Sequence, residues 1–263
     1  MDPLRADDLA RLLPARRALA REIRIVERAA STQDLARAAA AHAGLLISAE
    51  SQESGRGRRA RDWWSGPPAS NLAVTLVVAP APQPPPLLGV AAAVALARML
   101  DSWGAGPAAL KWPNDVLLGG AKVAGLLGEW LASPPDTALL GLGINVHAAP
   151  PETAAEYPAV ALASVLRARG RAAPDRTRLL AAWLWGFEAE LARAARLGSG
   201  PLEQEFLLRL RLWAPAGVRE AAEDAPAGGP LLEFRFATGL AFRSGDGVVR
   251  RPLAALGSLS ALP

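Results

Sequence analysis

The sequence of 263 residues holds no cysteine, two histidines (His42 and His147) and two lysines (Lys111 and Lys122). Without cysteine there can be neither a disulfide framework nor a thiolate metal site, and a reducing compartment is compatible. Two histidines cannot build a His-rich metal centre. Long hydrophobic runs are also missing from the start of the chain. Residues 1–22 are interrupted by acids and arginines, so neither a signal peptide nor a membrane span is expected, and the protein reads as soluble and cytoplasmic. There is no internal repeat, and the Pro/Ala/Gly-rich pieces are of loop length.

What is present is a chain with 51% apolar residues, which excludes disorder and suffices for one large domain or a main domain with an appendage. A pI near 10.5 accompanies a net charge of only +4, because arginine supplies nearly all the base. A pI of that origin is weak evidence for nucleic-acid binding. The 29 basic residues less two lysines leave 27 arginines, which makes residues 111–129, KWPNDVLLGGAKVAGLLGE, the stretch to explain. A guanidinium is a planar fork and an ammonium a compact point charge. Lysine is spared where one small site must meet phosphate and carboxylate oxygens together. The competing explanation is two surface lysines left by chance.

Residues 4–21 have apolar positions at helical spacing with Pro14 as a break, and 23–27 read as a strand. Ser31 or Thr32 can cap a following helix, with Asp34 in its first turn and Gly44 at its end. A strand over 45–51 runs into QESGRGRRARDW, a flexible cationic loop whose glycines let backbone amides approach an anion. Gly55, Gly57 and Ala60 formally fit a dinucleotide fingerprint, but residues 64–68 cannot open a helix, so that reading fails. On this loop alone, adenylate binding and an arginine-rich nucleic-acid patch with Trp63 and Trp64 as stacking platforms are about equal.

Further strands are expected over 71–79, 108–112, 116–118, 122–131 and 137–146, with a buried helix over 87–100. The turn at Gly119-Gly120 predicts a hairpin carrying both lysines on neighbouring strands. Gly141 and Gly143 leave room against the backbone, although a tight bend explains them equally well. Residues 147–158 form a loop and potential lid. Helices over 175–197 and 201–213 follow, then short strands over 218–222, 231–237, 240–243 and 248–251 that fit a small appended β-barrel.

Three motifs in order, GRGRRARDW at 55–63, KWPND at 111–115 followed by KVAGLL, and GLGIN at 141–145, resemble the biotin protein ligase family over about residues 23–260. The resemblance implies an α+β, class II synthetase-like fold: a central mixed sheet with packed helices, plus an SH3-like C-terminal barrel. The division would be a helical preface (1–22), a catalytic biotin/ATP-binding domain (23–213) and an SH3-like domain (214–263). It further implies biotinyl-5′-adenylate formation from biotin, ATP and Mg²⁺, then transfer of biotin to a lysine of a biotin carboxyl carrier domain. A lipoate or octanoate ligase of the same superfamily is the nearest alternative. Homodimers fit the resemblance, and no nucleic-acid or membrane partner is expected, since the residues before Ile23 are too few for a helix-turn-helix domain.

Carried onto this sequence, the resemblance makes Lys111 catalytic, between carboxylate and α-phosphate. Biotin would meet Ser31, Thr32, Gln33, Gln52, Arg56, Gly57, Arg58, Lys111, Gly125 and Gly143. Arg58, Arg61, Trp63, Asn114, Lys122 and Asn145 would meet ATP or the adenylate, and Asp115 would reach Mg²⁺. Gln33 departs from the family's asparagine. Ala163-Ser164-Val165 stands where many members have Thr-Ser-Leu.

Overall fold

Alternating burial along the strands divides the chain into one helix-covered sheet face and one open face. The computed structural model describes residues 3–154, 157–173, 175–220 and 228–262. After helix α1 (Ala6–Leu12) come β1 (Glu22–Ala29), α2 (Thr32–Ala38), β2 (Leu45–Gln52), β3 (Leu72–Val78) and α3 (Pro86–Ser102). Then follow β4 (Ala108–Lys111), β5 (Asp115–Leu118), β6 (Ala121–Leu131), β7 (Thr137–Ile144), α4 (Leu162–Ala168), α5 (Arg176–Leu197) and α6 (Gly200–Trp213). The C-terminal part holds β8 (Val218–Glu220), β9 (Leu231–Arg235), β10 (Gly239–Ser244), β11 (Gly247–Arg251) and β12 (Leu259–Ala261).

The first seven strands form one mixed sheet in the order β1-β2-β3-β7-β6-β5-β4. Only β1 and β2 run parallel, joined through α2, and the remaining neighbours are antiparallel. Side chains alternate across a strand. Leu72, Val74, Leu76 and Val78 of β3, with Leu140, Leu142 and Ile144 of β7, therefore enter the main core with α3 and α5. The opposite face carries Val77 and Leu139, which pack with Ala36 of α2 in a smaller cluster. Along that same face lie Ala73, Thr75, Gly141 and Gly143, with Gly125 paired to Gly143 and Thr75 to Gly141. The glycines line the open face, where a cavity needs room.

α3 is apolar nearly all round because it lies between the sheet and α5. The C-terminal strands form a three-stranded antiparallel sheet, β11-β10-β9, and a β12-β8 ladder. Trp112, just after β4, packs on Phe206 of α6 (ring centroids 6.2 Å apart) and Phe234 of β9 (5.9 Å), tying these sheets to the main core.

Several expectations need correction. The two lysines are not on neighbouring strands: Asp115 starts β5 only four residues after Lys111, so β5 lies between β4 and β6. α2 ends at Ala38, and Gly44 (φ +80) instead immediately precedes β2, its amide donating to Val77 O at 2.9 Å. α4 and β12 were not anticipated. The strand expected over 218–222 is described to Glu220, and its last two residues lie outside the described residues. Among the described residues, no helix is long and apolar enough to cross a membrane.

Candidate active site

Every residue of the predicted site borders one cavity of about 820 Å³ on the open sheet face. Its polar end is built where β1 turns into α2. Ser31 caps that helix, its Oγ accepting from the Gln33 amide at 3.2 Å. Thr32 donates from its amide (2.8 Å) and hydroxyl (3.1 Å) to Gln52 Oε1 at the end of β2. The Thr32 and Thr75 hydroxyls lie 2.9 Å apart, and Thr75 donates to Gln33 Oε1 at 3.2 Å. Ser31, Thr32 and Gln33 are all buried, and Gln33 Nε2 has no partner among the described residues. A buried polar network of this kind is costly unless satisfied, and it holds its members in one arrangement. The longer side chain of Gln33 is accommodated by Gly141, where an added Cβ would stand 2.8 Å from Gln33 Oε1.

The arginine loop is folded back on itself. The Gly57 amide donates to Arg61 O (2.7 Å), and the Trp63 amide donates to Gly55 O (2.8 Å). A short 3₁₀ turn at Arg58–Ala60 lies between, with Arg59 in the left-handed region (φ 55, ψ 41), a conformation that costs a non-glycine residue about 1 kcal/mol. Arg56 pairs with Asp34 in the first turn of α2 at 2.8 Å. Partial desolvation, then the neighbouring Arg59, holds the Arg58 guanidinium below its ordinary pKa; Asp115 opposes and Arg61 adds to the effect. Arginine still remains protonated at neutral pH. The loop delivers Trp63 onto the floor of the cavity. A Cβ at Gly143 would lie inside its indole, and one at Gly125 would come within 3.1 Å of it. Trp63 Nε1 is buried without a hydrogen-bond partner among the described residues.

Beyond Trp63 the floor meets the lysines. Lys122 Nζ is 2.5 Å from Asp115 Oδ1 and 5.4 Å from the Trp63 ring centroid, and its Cε borders Gly125. Lys111 Nζ lies 4.1 Å from the Tyr157 ring centroid and 5.6 Å from that of Trp213. Lys122 Nζ is 5.6 Å from the same Tyr157 centroid, so the two ammonium groups flank one ring. Asn114 donates to Leu126 O (2.8 Å) and Asn145 to Lys122 O (3.4 Å); both brace β6, while Asn145 Oδ1 is buried without a partner among the described residues.

The segment after β7 is tied at both ends. Asn71 Oδ1 accepts from the amides of Val146 (2.9 Å), His147 (3.3 Å) and Ala148 (3.2 Å). At the far end the Lys122 amide donates to Pro158 O, and the Val160 amide to Lys122 O. Ala163 is buried in α4, its amide donating to Val146 O at 2.8 Å.

The residues do not form a cage for Mg²⁺. Among the described residues there is no group of three His, Cys, Asp or Glu that could hold an ion, and the Asp115 carboxylate is already engaged by Lys122. Four residues escaped the sequence reading: Thr75, Tyr157, Trp213 and Asn71. Only Tyr157, as the sole tyrosine of the chain, carried a signal of its own.

Residues 25–145 match the profile of the Biotin/lipoate A/B protein ligase family. The chain is 36% identical over 203 residues to a biotin–[acetyl-CoA-carboxylase] ligase of Paracoccus denitrificans, a match spanning 69% of this chain and 81% of that protein. It is 37% identical over 181 residues to the enzyme of the same description from Mycobacterium tuberculosis, spanning 65% of this chain and 64% of that one. Among solved structures, the biotin protein ligase of Aquifex aeolicus in complex with biotin and ATP superposes with a TM-score of 0.79 at 23% identity, over 92% of this chain and 100% of that one. At that identity the likeness speaks for the fold.

Proposed function

The chain belongs to the Biotin/lipoate A/B protein ligase family, and on that premise we propose that it is an ATP-dependent biotin–[carrier protein] ligase. The observation that carries this reading is the order of groups along one cavity floor. A buried hydrogen-bonding end (Thr32, Gln33, Gln52) is followed by glycines under an indole, then by two ammonium groups. Biotin has the same order: a ureido head, an apolar ring and chain, and a terminal carboxylate.

In the first half-reaction a biotin carboxylate oxygen attacks the α-phosphorus of ATP and pyrophosphate leaves. The two anions repel, so cations must be fixed where they meet before the reaction begins. A ligand laid along the floor reaches Lys122, beside Gly125, and then Lys111. We assign the junction of carboxylate and phosphate to Lys111 together with Lys122; in the sequence alone Lys111 stood as the principal group. Arg56, Arg58 and Arg61 supply further charge from the loop; Trp63, which rests on Gly143 and Gly125, lifts to admit the ligand and closes again over it, excluding water from a hydrolysable mixed anhydride. In the second half-reaction the amine of a carrier lysine attacks the acyl carbon, giving an amide and releasing AMP. Mg²⁺, as a hard cation that keeps its waters, would arrive on the phosphates of ATP rather than in a protein cage, with Asp115 free to turn toward it only by leaving Lys122.

The C-terminal strands are read as an SH3-like domain over 214–263, supported by their short antiparallel ladders. Residues 23–213 are read as the catalytic domain, and the setting as cytosolic. The test is ATP–pyrophosphate exchange measured separately with biotin and with lipoate, followed by transfer of labelled biotin to a carrier domain. Biotin-dependent exchange and labelling are expected; exchange with lipoate alone would overturn the reading.

A further inference from the structure

We propose that Tyr157 and Trp213 are positioning residues that clamp the Lys111 ammonium between two aromatic faces, so that it stays ordered while keeping its full charge for the reactants. The inference rests on the ligase reading for its purpose, but the clamp itself is a geometric claim. A lysine stem has four rotatable bonds and loses rotamer entropy when fixed. The usual device for fixing it is a carboxylate, and Lys122 uses it, with Asp115 at 2.5 Å. Lys111 is held differently: among the described residues its ammonium faces the Tyr157 ring at 4.1 Å and the Trp213 ring at 5.6 Å. Both lie within the roughly 6 Å over which an aromatic face attracts a cation.

The difference matters chemically. A carboxylate partner would offset the positive charge and occupy N–H donors, whereas a ring face holds the cation by its quadrupole and leaves donors for oxygen ligands. The walls come from separated parts of the chain. Trp213 ends α6, and Tyr157 precedes the Pro158–Val160 stretch hydrogen-bonded to the Lys122 backbone. Tyr157 is thus seated by the backbone of one lysine against the side chain of the other.

The scarcity of lysine makes the test direct. In protein labelled with ¹³C at lysine Cε, two side-chain signals arise. The Lys111 Hε protons, next to an ammonium that lies over the Tyr157 ring, are expected upfield of their ordinary position. Tyr157→Phe should keep that shift and the biotin-dependent exchange rate. Tyr157→Leu should return the Lys111 signal toward its ordinary position and lower kcat for exchange about 10- to 100-fold with little change in KM for biotin. A Lys111 signal without ring-current shift in the parent protein would overturn the proposal whatever the variants do. So would an unchanged kcat in a folded Tyr157→Leu variant. If the shift is present but neither biotin nor lipoate supports exchange, the ligase reading fails while the clamp stands.

Discussion

Lys122 Nζ lies 2.5 Å from Asp115 Oδ1, whereas Lys111 Nζ faces the Tyr157 ring at 4.1 Å, so the two lysines of the chain are held by opposite means. One is neutralised in the resting site and one is not. Asp115 starts β5, between the strands that carry the two lysines, and its carboxylate turns to β6. Of the two lysines, Lys111 is therefore the one whose charge is available to an incoming anion until Asp115 releases its partner.

Replacing Lys111 by alanine should slow adenylation by roughly 10²- to 10³-fold, the usual cost of removing one fixed electrostatic donor. Lys111→Arg should fail to restore the rate, because a guanidinium can stack on the Tyr157 and Trp213 rings but its planar fork does not replace a compact point charge between carboxylate and phosphate. Pre-steady-state pyrophosphate release checks both, and full activity of the arginine variant would refute the argument from lysine scarcity.

At Gly143 an added Cβ would occupy the volume of the Trp63 indole. Gly143→Ala should leave the sheet intact, since β-strand backbone tolerates alanine, but expel Trp63 from the floor. Calorimetric titration should then show biotin binding weakened about tenfold or more, with tryptophan fluorescence shifted to the red.

Thr32→Val removes a buried hydroxyl while keeping the shape, and it strands Gln52 Oε1 and Thr75 Oγ1 partly unpaired. The expected cost is about 1–3 kcal/mol, shared between stability and biotin affinity. A denaturant melt with and without biotin separates the two shares.

Arg37 of α2 forms a two-pronged pair with Glu129 of β6, and that hydrogen bonding holds the Glu129 carboxyl below its ordinary pKa. A carboxylate with a depressed folded-state pKa contributes stability that is present above its unfolded value and lost as pH falls through the folded one. Thermal stability should decline as pH drops below the ordinary carboxylate range. The Glu129→Gln variant should show a shallower decline, by a small amount because the pair is partly exposed.

The parts of the site that are local in sequence were legible without the structure. Ser31–Gln33, the Gly55–Trp63 loop and the GLGIN strand each keep their function within a few residues, so motif and spacing suffice to place them on one cavity. The sheet was legible where strands are long and apolar, as in β3 and β7. The strand expected over 116–118 is β5, but its placement was misread: the Gly119-Gly120 turn pairs β5 with β6, so the lysines of β4 and β6 are separated by β5. α4 was missed because it spans seven residues and has no side-chain cap. Thr75, Tyr157 and Trp213 were illegible for another reason: each takes its role from a neighbour more than 40 residues away in sequence, as Thr75 does from Thr32.

The contact of Trp112 with Phe206 and Phe234 begins one residue after Lys111. Because Trp112 Nε1 also approaches Leu256 O at 3.5 Å, the strand that presents the reactive ammonium is braced from behind by the last third of the polypeptide. A chain cut after α6 would lose more than its terminal strands. It would strip Phe234 and the Leu256 carbonyl from Trp112, opening one side of an aromatic core residue directly beside the site while Phe206 of α6 remains against it.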